Sequence, residues 1–107
     1  MGNPKPVRSE VWLIDLGIAA KVRPALVVSE TYGDGDRALI AVVPHTTSIR
    51  GSRYEIQISV PFLKRNGAFL LQGFVTVPPP YFVKKLGMLS ESQMKLIENG
   101  LRDWLAL

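Results

Sequence analysis

Two nearly uninterrupted apolar runs constrain the fold of this chain more than any other feature of its sequence. They are Val22-Arg23-Pro24-Ala25-Leu26-Val27-Val28 and Val42-Val43-Pro44-His45-Thr46-Thr47-Ser48. Each is rich in β-branched residues and reads as a buried strand with a polar group at one end. Arg23 stands at the entrance of the first run and Thr46 at the exit of the second. If the runs pair, a permanent cation and a hydroxyl lie side by side at a strand-end rim. Such a pair can hold and polarise a phosphate.

The rest of the chain supplies strands at short intervals and one helix. Glu10 to Leu16 reads as a first strand, with Val11 and Leu13 on one face and Trp12, Ile14 and Leu16 on the other. Gly17 to Lys21 is a short connection. Pro24 to Ser29 follows, and a proline at its first position removes no interior ladder bond. Tyr32-Gly33-Asp34-Gly35-Asp36 is a turn in which both aspartates are structural. Ala38 to Val43 is a third strand, with Pro44 limiting its pairing. Thr46 to Ser52 is a polar loop. Tyr54 to Ser59 alternates, so one of its faces is wet. Phe62 to Asn66 reads as a helical turn ending at Gly67. Ala68 to Val77 is a long strand broken or bulged at Gly73, and Pro78-Pro79-Pro80 ends it.

The clearest helix spans residues 90–105. Ser90 and Gln93 form a capping box, and Glu91 complements the helix dipole. Met94, Ile97, Leu101, Trp104 and Leu105 make an apolar stripe expected to pack on the sheet. Gly100 interrupts it, at a cost of about 1 kcal/mol relative to Ala. No repeat or long linker divides the 107 residues, so a single domain is expected, with residues 1–7 as a flexible leader. The fold class is mainly β with a C-terminal α-helix, a small antiparallel sheet or SH3-like barrel. That architecture hosts many functions.

Composition narrows the chemistry. Cysteine is absent, which excludes disulfides and thiolate metal sites. One histidine and nine scattered carboxylates argue against a metal site, and no cofactor is expected. No apolar run approaches the roughly eighteen residues of a membrane span. The amino-terminal residues lack the apolar core of a signal peptide, so the cytoplasm is the default location. Residues 1–89 carry eleven Lys/Arg against six Asp/Glu, whereas residues 90–107 carry two against three. The surplus suits a polyanion, and it equally suits an ordinary solvated surface.

The order of pieces resembles the MazF/PemK family of toxin–antitoxin endoribonucleases. The matching pieces are Ser9 to Leu16, Val22 to Ser29, Val42 to Ser48, Phe69-Leu70-Leu71, Thr76-Val77 and Lys85 to Ser90, followed by a terminal helix. The resemblance implies a CcdB/MazF-type barrel, usually a homodimer, that cuts single-stranded RNA without a metal. The 2′-hydroxyl attacks the adjacent phosphorus and leaves a 2′,3′-cyclic phosphate and a 5′-hydroxyl. The family's catalytic arginine falls on Arg23 and its catalytic threonine on Thr46. A guanidinium presents a planar fork of donors that matches phosphate oxygens, and it acts most strongly on the charge that grows in the transition state. Thr46, a poor base at neutral pH, is assigned positioning and charge stabilisation.

Around that pair, Thr47, Ser48, Arg50 and Arg53 are the candidate substrate-binding residues. His45 is the residue type most used as a proton shuttle near neutrality. In an extended strand, however, it points to the face opposite Thr46, and a packing or hydrogen-bonded role is expected. The resemblance also implies an acidic, partly disordered cognate antitoxin covering the basic groove, and no membrane partner. Two departures from the family pattern stand out. The connection from Leu16 to Arg23 is short, and Gly73 and Val75 stand where the family has glutamine and arginine. Two alternatives remain open at this level. One is a CcdB-like toxin that binds DNA gyrase through the end of its terminal helix, near Trp104. The other is a catalytically weakened RNA-binding remnant.

Overall fold

The structure, a computed structural model, describes residues 5–16 and 22–107. Seven strands precede one helix: β1 (Glu10–Asp15), β2 (Val22–Val27), β3 (Ile40–Thr46), β4 (Glu55–Ile56), β5 (Ala68–Leu70), β6 (Val75–Val77), β7 (Phe82–Met88) and α1 (Glu91–Leu105). All pairings are antiparallel. The sheet runs β4-β5-β3-β2-β1-β7, with β6 also beside β3. This is the mainly β architecture with a C-terminal helix that the sequence predicts, built as an open sheet whose end strands are β4 and β7.

The two apolar runs become central strands because both their faces are covered. Leu26, Ala41 and Val43 join Val11, Phe69 and Leu71 and the helix residues Met94 and Ile97 in one core. Ala25, Val27, Ile40 and Val42 join Ile14, Val77 and Phe82 in a second core on the other face. Side chains alternate across a strand, so a strand between two cores must be apolar at every position.

Pro44 does not end β3, as its chemistry suggests it should. The Val28 N–H donates to the Ala41 carbonyl at 2.9 Å. By the alternation of an antiparallel ladder, the main-chain groups of Val43 also face β2, while those of Pro44 face the other way. On that other side β3 changes partner. Ile40 to Val42 pair with β6, and His45 and Thr46 pair with β5. The turn Leu71–Gly73 lies between β5 and β6, so the missing N–H of Pro44 faces a gap in the ladder. Gly73 lies against the Pro44 ring, where an added β-carbon would come within 2.8 Å of Cγ.

Other elements depart from the sequence reading. β7 was not foreseen. It follows three prolines, exposes Val83, Lys84 and Lys85, and has the lysine-bearing character of an edge strand. The alternating segment Tyr54 to Ser59 forms a strand only at Glu55–Ile56, and Phe62 to Asn66 contains no helix. The looseness expected of residues 1–7 does not extend to Pro6, which is fully buried, or to Val7, whose N–H donates to Glu10 Oε1 at 2.9 Å. Residues 1–4 lie outside the described residues. No helix among the described residues is long and apolar enough to cross a membrane.

The capping box of α1 is present. Ser90 Oγ accepts from the Gln93 N–H, and the Gln93 side chain accepts from the Ser90 N–H. The apolar stripe packs through its first half only. Met94 and Ile97 are buried, Leu101 is half-buried, and Trp104 and Leu105 are exposed. Gly100 is a point of close approach rather than a defect, since a β-carbon there would lie 2.4 Å from Leu71 Cδ1. Leu71 is fully buried and cannot yield cheaply. Overpacking of about 1–3 kcal/mol outweighs the roughly 1 kcal/mol propensity gain. Gly100→Ala is therefore expected to lower stability in urea denaturation, the reverse of what helix propensity alone gives.

Candidate functional site

The register of β2 on β3 sets the geometry of the candidate site. Val27 lies opposite Val42, Leu26 opposite Val43, and Ala25 opposite Pro44. Continued two residues toward the open end, the same register sets Arg23 across from Thr46, on the face shared by Ala25 and Val42. Both ends reach solvent: Arg23 is exposed and Thr46 half-buried. Among the described residues no carboxylate forms an ion pair with Arg23, so its guanidinium is available to an anion.

Thr46 is oriented by the chain that follows it. Its Oγ1 accepts the Ser48 N–H at 3.0 Å. An accepting hydroxyl retains its own hydrogen for donation, and this contact directs Thr46 towards a donor role. The Ser48 N–H is consumed in orienting Thr46, which gives Ser48 a supporting part.

The loop that carries Arg50 and Arg53 is held by contacts of its own. The Glu55 carboxylate gathers their loop, accepting from Arg50 N–H at 3.0 Å and Ser52 N–H at 2.9 Å. The Arg53 guanidinium lies 4.7 Å over the Tyr54 ring, and Tyr54 in turn packs on Trp104 at 5.0 Å. Arg53 is thereby drawn towards the end of α1.

His45 occupies the other face, as strand alternation predicts. It is 7% exposed, and its ring meets Phe69 edge-on at 5.1 Å. Gly67 makes this arrangement possible. A β-carbon there would come 2.2 Å from the Thr46 carbonyl oxygen and 2.6 Å from His45 Cε1. Burial pushes the imidazole below the ordinary histidine pKa, favouring the neutral ring at pH 7.

A cavity of about 490 Å³ opens at the ends of β2 and β3. Its polar lining is Arg23, His45, Thr47, Lys64 and Arg65, and its apolar walls include Leu13, Pro24, Phe62 and Leu86. Of the candidate residues, Arg23 and Thr47 line this cavity, and Thr46, Ser48, Arg50 and Arg53 do not. The sequence offers Lys64 and Arg65 only as two of six loop cations, with Arg50, Arg53, Lys84 and Lys85, that suit a polyanion. The local signal was two adjacent cations in a polar turn before Gly67. The connection Gly17 to Lys21 lies outside the described residues. Of the substituted family positions, Gly73 packs on Pro44, while Val75 and its neighbour Phe74 are exposed. Among the described residues no group of three His, Asp or Glu is arranged to hold a metal ion.

A family model described as PemK-like, MazF-like toxin of type II toxin–antitoxin system matches residues 7–105, and the chain belongs to that family. No curated protein matches it. Among solved structures, an endoribonuclease from a mycobacterial species, in complex with its cognate antitoxin, superposes with a TM-score of 0.80 at 25% identity. That match covers 95% of this chain and 96% of the other. The Mycobacterium tuberculosis toxin MazF-mt6 gives a TM-score of 0.79 at 21% identity, covering 92% and 97% of the two chains. A MazE-MazF structure from Deinococcus radiodurans gives 0.79 at 18% identity, covering 98% and 100%. The last two likenesses speak for the fold. The family match favours the MazF/PemK line over the CcdB-like alternative.

Two outcomes follow from this geometry. Gly67→Ala forces the Thr46 main chain and the His45 ring apart, and is expected to cost at least about 1–3 kcal/mol of stability, measurable by chemical denaturation. For pH, the unfolded chain binds a proton at His45 near the ordinary value of about 6.5, whereas the folded state resists it. Stability is therefore complete above that value and falls as pH drops below it. Urea midpoints should fall between pH 7.5 and pH 5.5, and the fall should be smaller in His45→Leu. Glu10 titrates in a separate window. Burial raises its pKa, but the Val7 N–H, the Trp12 indole and Lys85 together outweigh that and lower it. Its contribution is lost only in more acidic solution.

Proposed function

We propose that this MazF/PemK-type toxin is a metal-independent endoribonuclease that cleaves single-stranded RNA by attack of the 2′-hydroxyl on the adjacent phosphodiester. The observation that supports this reading is the β2–β3 register, which ends at Ala25 opposite Pro44 and, continued by two residues, brings Arg23 and Thr46 to one face at an open strand end. Transesterification forms the 2′-O–P bond and breaks the P–O5′ bond. The 2′-hydroxyl proton passes to water, and the departing 5′-oxygen takes a proton from water, so no co-reactant is consumed. The five-coordinate intermediate carries more negative charge than the substrate. Arg23 counters that charge with a fixed guanidinium, and Thr46 donates its hydroxyl hydrogen to a nonbridging oxygen. Thr47, Lys64 and Arg65 hold the strand beside them, with Ser48 fixing Thr46 and Arg50 and Arg53 extending the basic surface.

The mycobacterial relative solved with its cognate antitoxin supports an antitoxin as a partner, the Lys/Arg surplus of residues 1–89 makes an acidic one the fitting match, and the family membership makes a cytoplasmic homodimer the expected form. Incubation of the purified protein with long RNA in EDTA tests the enzyme reading. Fragments ending in a 2′,3′-cyclic phosphate are expected. Arg23→Ala is expected to lower the cleavage rate about 100- to 1,000-fold, the usual loss of a group that stabilises transition-state charge. Thr46→Val should lower it less. RNA left intact by the wild-type protein would contradict the proposal.

A further inference from the structure

We infer that the cavity at the open ends of β2 and β3 is a base-recognition pocket, in which His45 reads the edge of the nucleobase next to the phosphate held at Arg23 and Thr46. The inference rests on the ribonuclease reading and deepens it by assigning a specificity-determining residue.

Three observations carry it. The first is an unpartnered polar group facing a hollow. His45 is more than nine-tenths buried, and no described residue hydrogen-bonds to its ring. Yet no buried side-chain nitrogen or oxygen among the described residues lacks a partner, so the ring nitrogens are reached from the cavity that His45 lines. The nitrogens therefore keep access to the surface, where a ligand in the cavity can meet them.

The second observation is the shape and chemistry of the hollow. At about 490 Å³ it falls within the roughly 300–1,000 Å³ of small-ligand sites. Phe62 supplies an aromatic wall, and Leu13, Pro24 and Leu86 supply apolar ones. Splayed bases of single-stranded RNA are held by stacking and by hydrogen bonds to their edges. A neutral imidazole offers one donor and one acceptor, which is what discriminating a base edge requires. The third observation is adjacency. Arg23 and Thr47 line the same cavity, and Thr46 lies between His45 and Thr47 in the chain. Lys64 and Arg65 line it as well, where they can meet the phosphates on either side of the base.

An acidic side chain of a protein partner is the competing occupant. A carboxylate would favour the protonated imidazole, which burial here opposes. The cations Arg23, Lys64 and Arg65 suit either occupant, whereas the aromatic wall of Phe62 and the apolar walls of Leu13, Pro24 and Leu86 suit a stacked base better than a carboxylate side chain.

His45 is the only histidine in the chain, so its ring signals are unique in an NMR spectrum. The test adds 2′-O-methyl oligonucleotides, which cannot be cleaved, to the full-length protein. The four homopolymers are compared with an abasic oligomer of equal length and with a glutamate-rich peptide. In parallel, cleavage ends on total RNA are mapped for the wild-type protein, His45→Leu, His45→Gln and Arg65→Ala. The His45 signals should move with one base class and stay still with the abasic oligomer. His45→Leu should lose about tenfold or more of the preference at one position beside the cut, with His45→Gln restoring part of it. Arg65→Ala should slow cleavage at all sites without changing their sequence.

Oligomers that bind without moving the His45 signals would overturn the inference, as would cleavage by His45→Leu at unchanged sequences. Shifts produced by the acidic peptide alone would overturn it too, and would assign the pocket to a protein partner. A wild-type protein that neither binds nor cuts RNA would refute the ribonuclease reading itself, an outcome distinct from all of these.

Discussion

The pairing of β2 with β3 is the constraint on which the remaining structure depends. Strand register is strongly specified where faces are buried, because a slip of one residue moves every side chain to the opposite face. Here both faces of both strands are buried, one under α1 and Phe69 and the other against Ile14, Val77 and Phe82. A slip would disturb two cores together. The strand ends inherit that rigidity. Arg23 and Thr46 sit two residues beyond Ala25 and Pro44, and their alignment follows from packing in the middle of the sheet rather than from any contact between them.

The same alternation separates two side-chain environments between two adjacent residues. Thr46 faces the Arg23 side with its hydroxyl oriented by the Ser48 N–H. His45 points to the opposite face of β3 and lines the cavity that the Arg23 side chain also borders, with burial opposing its protonation. A charged group suits a developing phosphorane, and a neutral donor–acceptor suits a base edge. Gly67 underlies both placements, since the absence of a side chain there lets the turn approach the Thr46 carbonyl and the His45 ring together.

Much of this was legible in the sequence for physical reasons. The apolar runs announced central strands, and Ser90 with Gln93 announced the start of α1. The alternation of a strand placed His45 and Thr46 on opposite faces. What was hidden depends on long-range partners. Pro44 reads as a terminator, and only the change of neighbour from β6 to β5 makes it tolerable in mid-strand. β7 carries few inward apolar residues because it is an edge, so its pattern gave no signal. Gly100 reads as a weak point in a helix until Leu71 is seen beneath it. Arg53 lies close to Thr46 in sequence, yet its guanidinium rests over the Tyr54 ring, and neither it nor Arg50 lines the cavity. Lys64 and Arg65 reach the cavity from a distant turn that no local pattern connects to Arg23.

The central claim is that Arg23 and Thr46 act on the same phosphodiester, and a double-mutant cycle on the cleavage step tests it most directly. Single-turnover rates would be measured for the wild type, Arg23→Ala, Thr46→Val and the double variant. Groups that act as a unit give strongly non-additive losses. The account predicts that adding Thr46→Val to Arg23→Ala slows the reaction far less than Thr46→Val does alone. Losses that multiply in full, as for two independent sites, would contradict it.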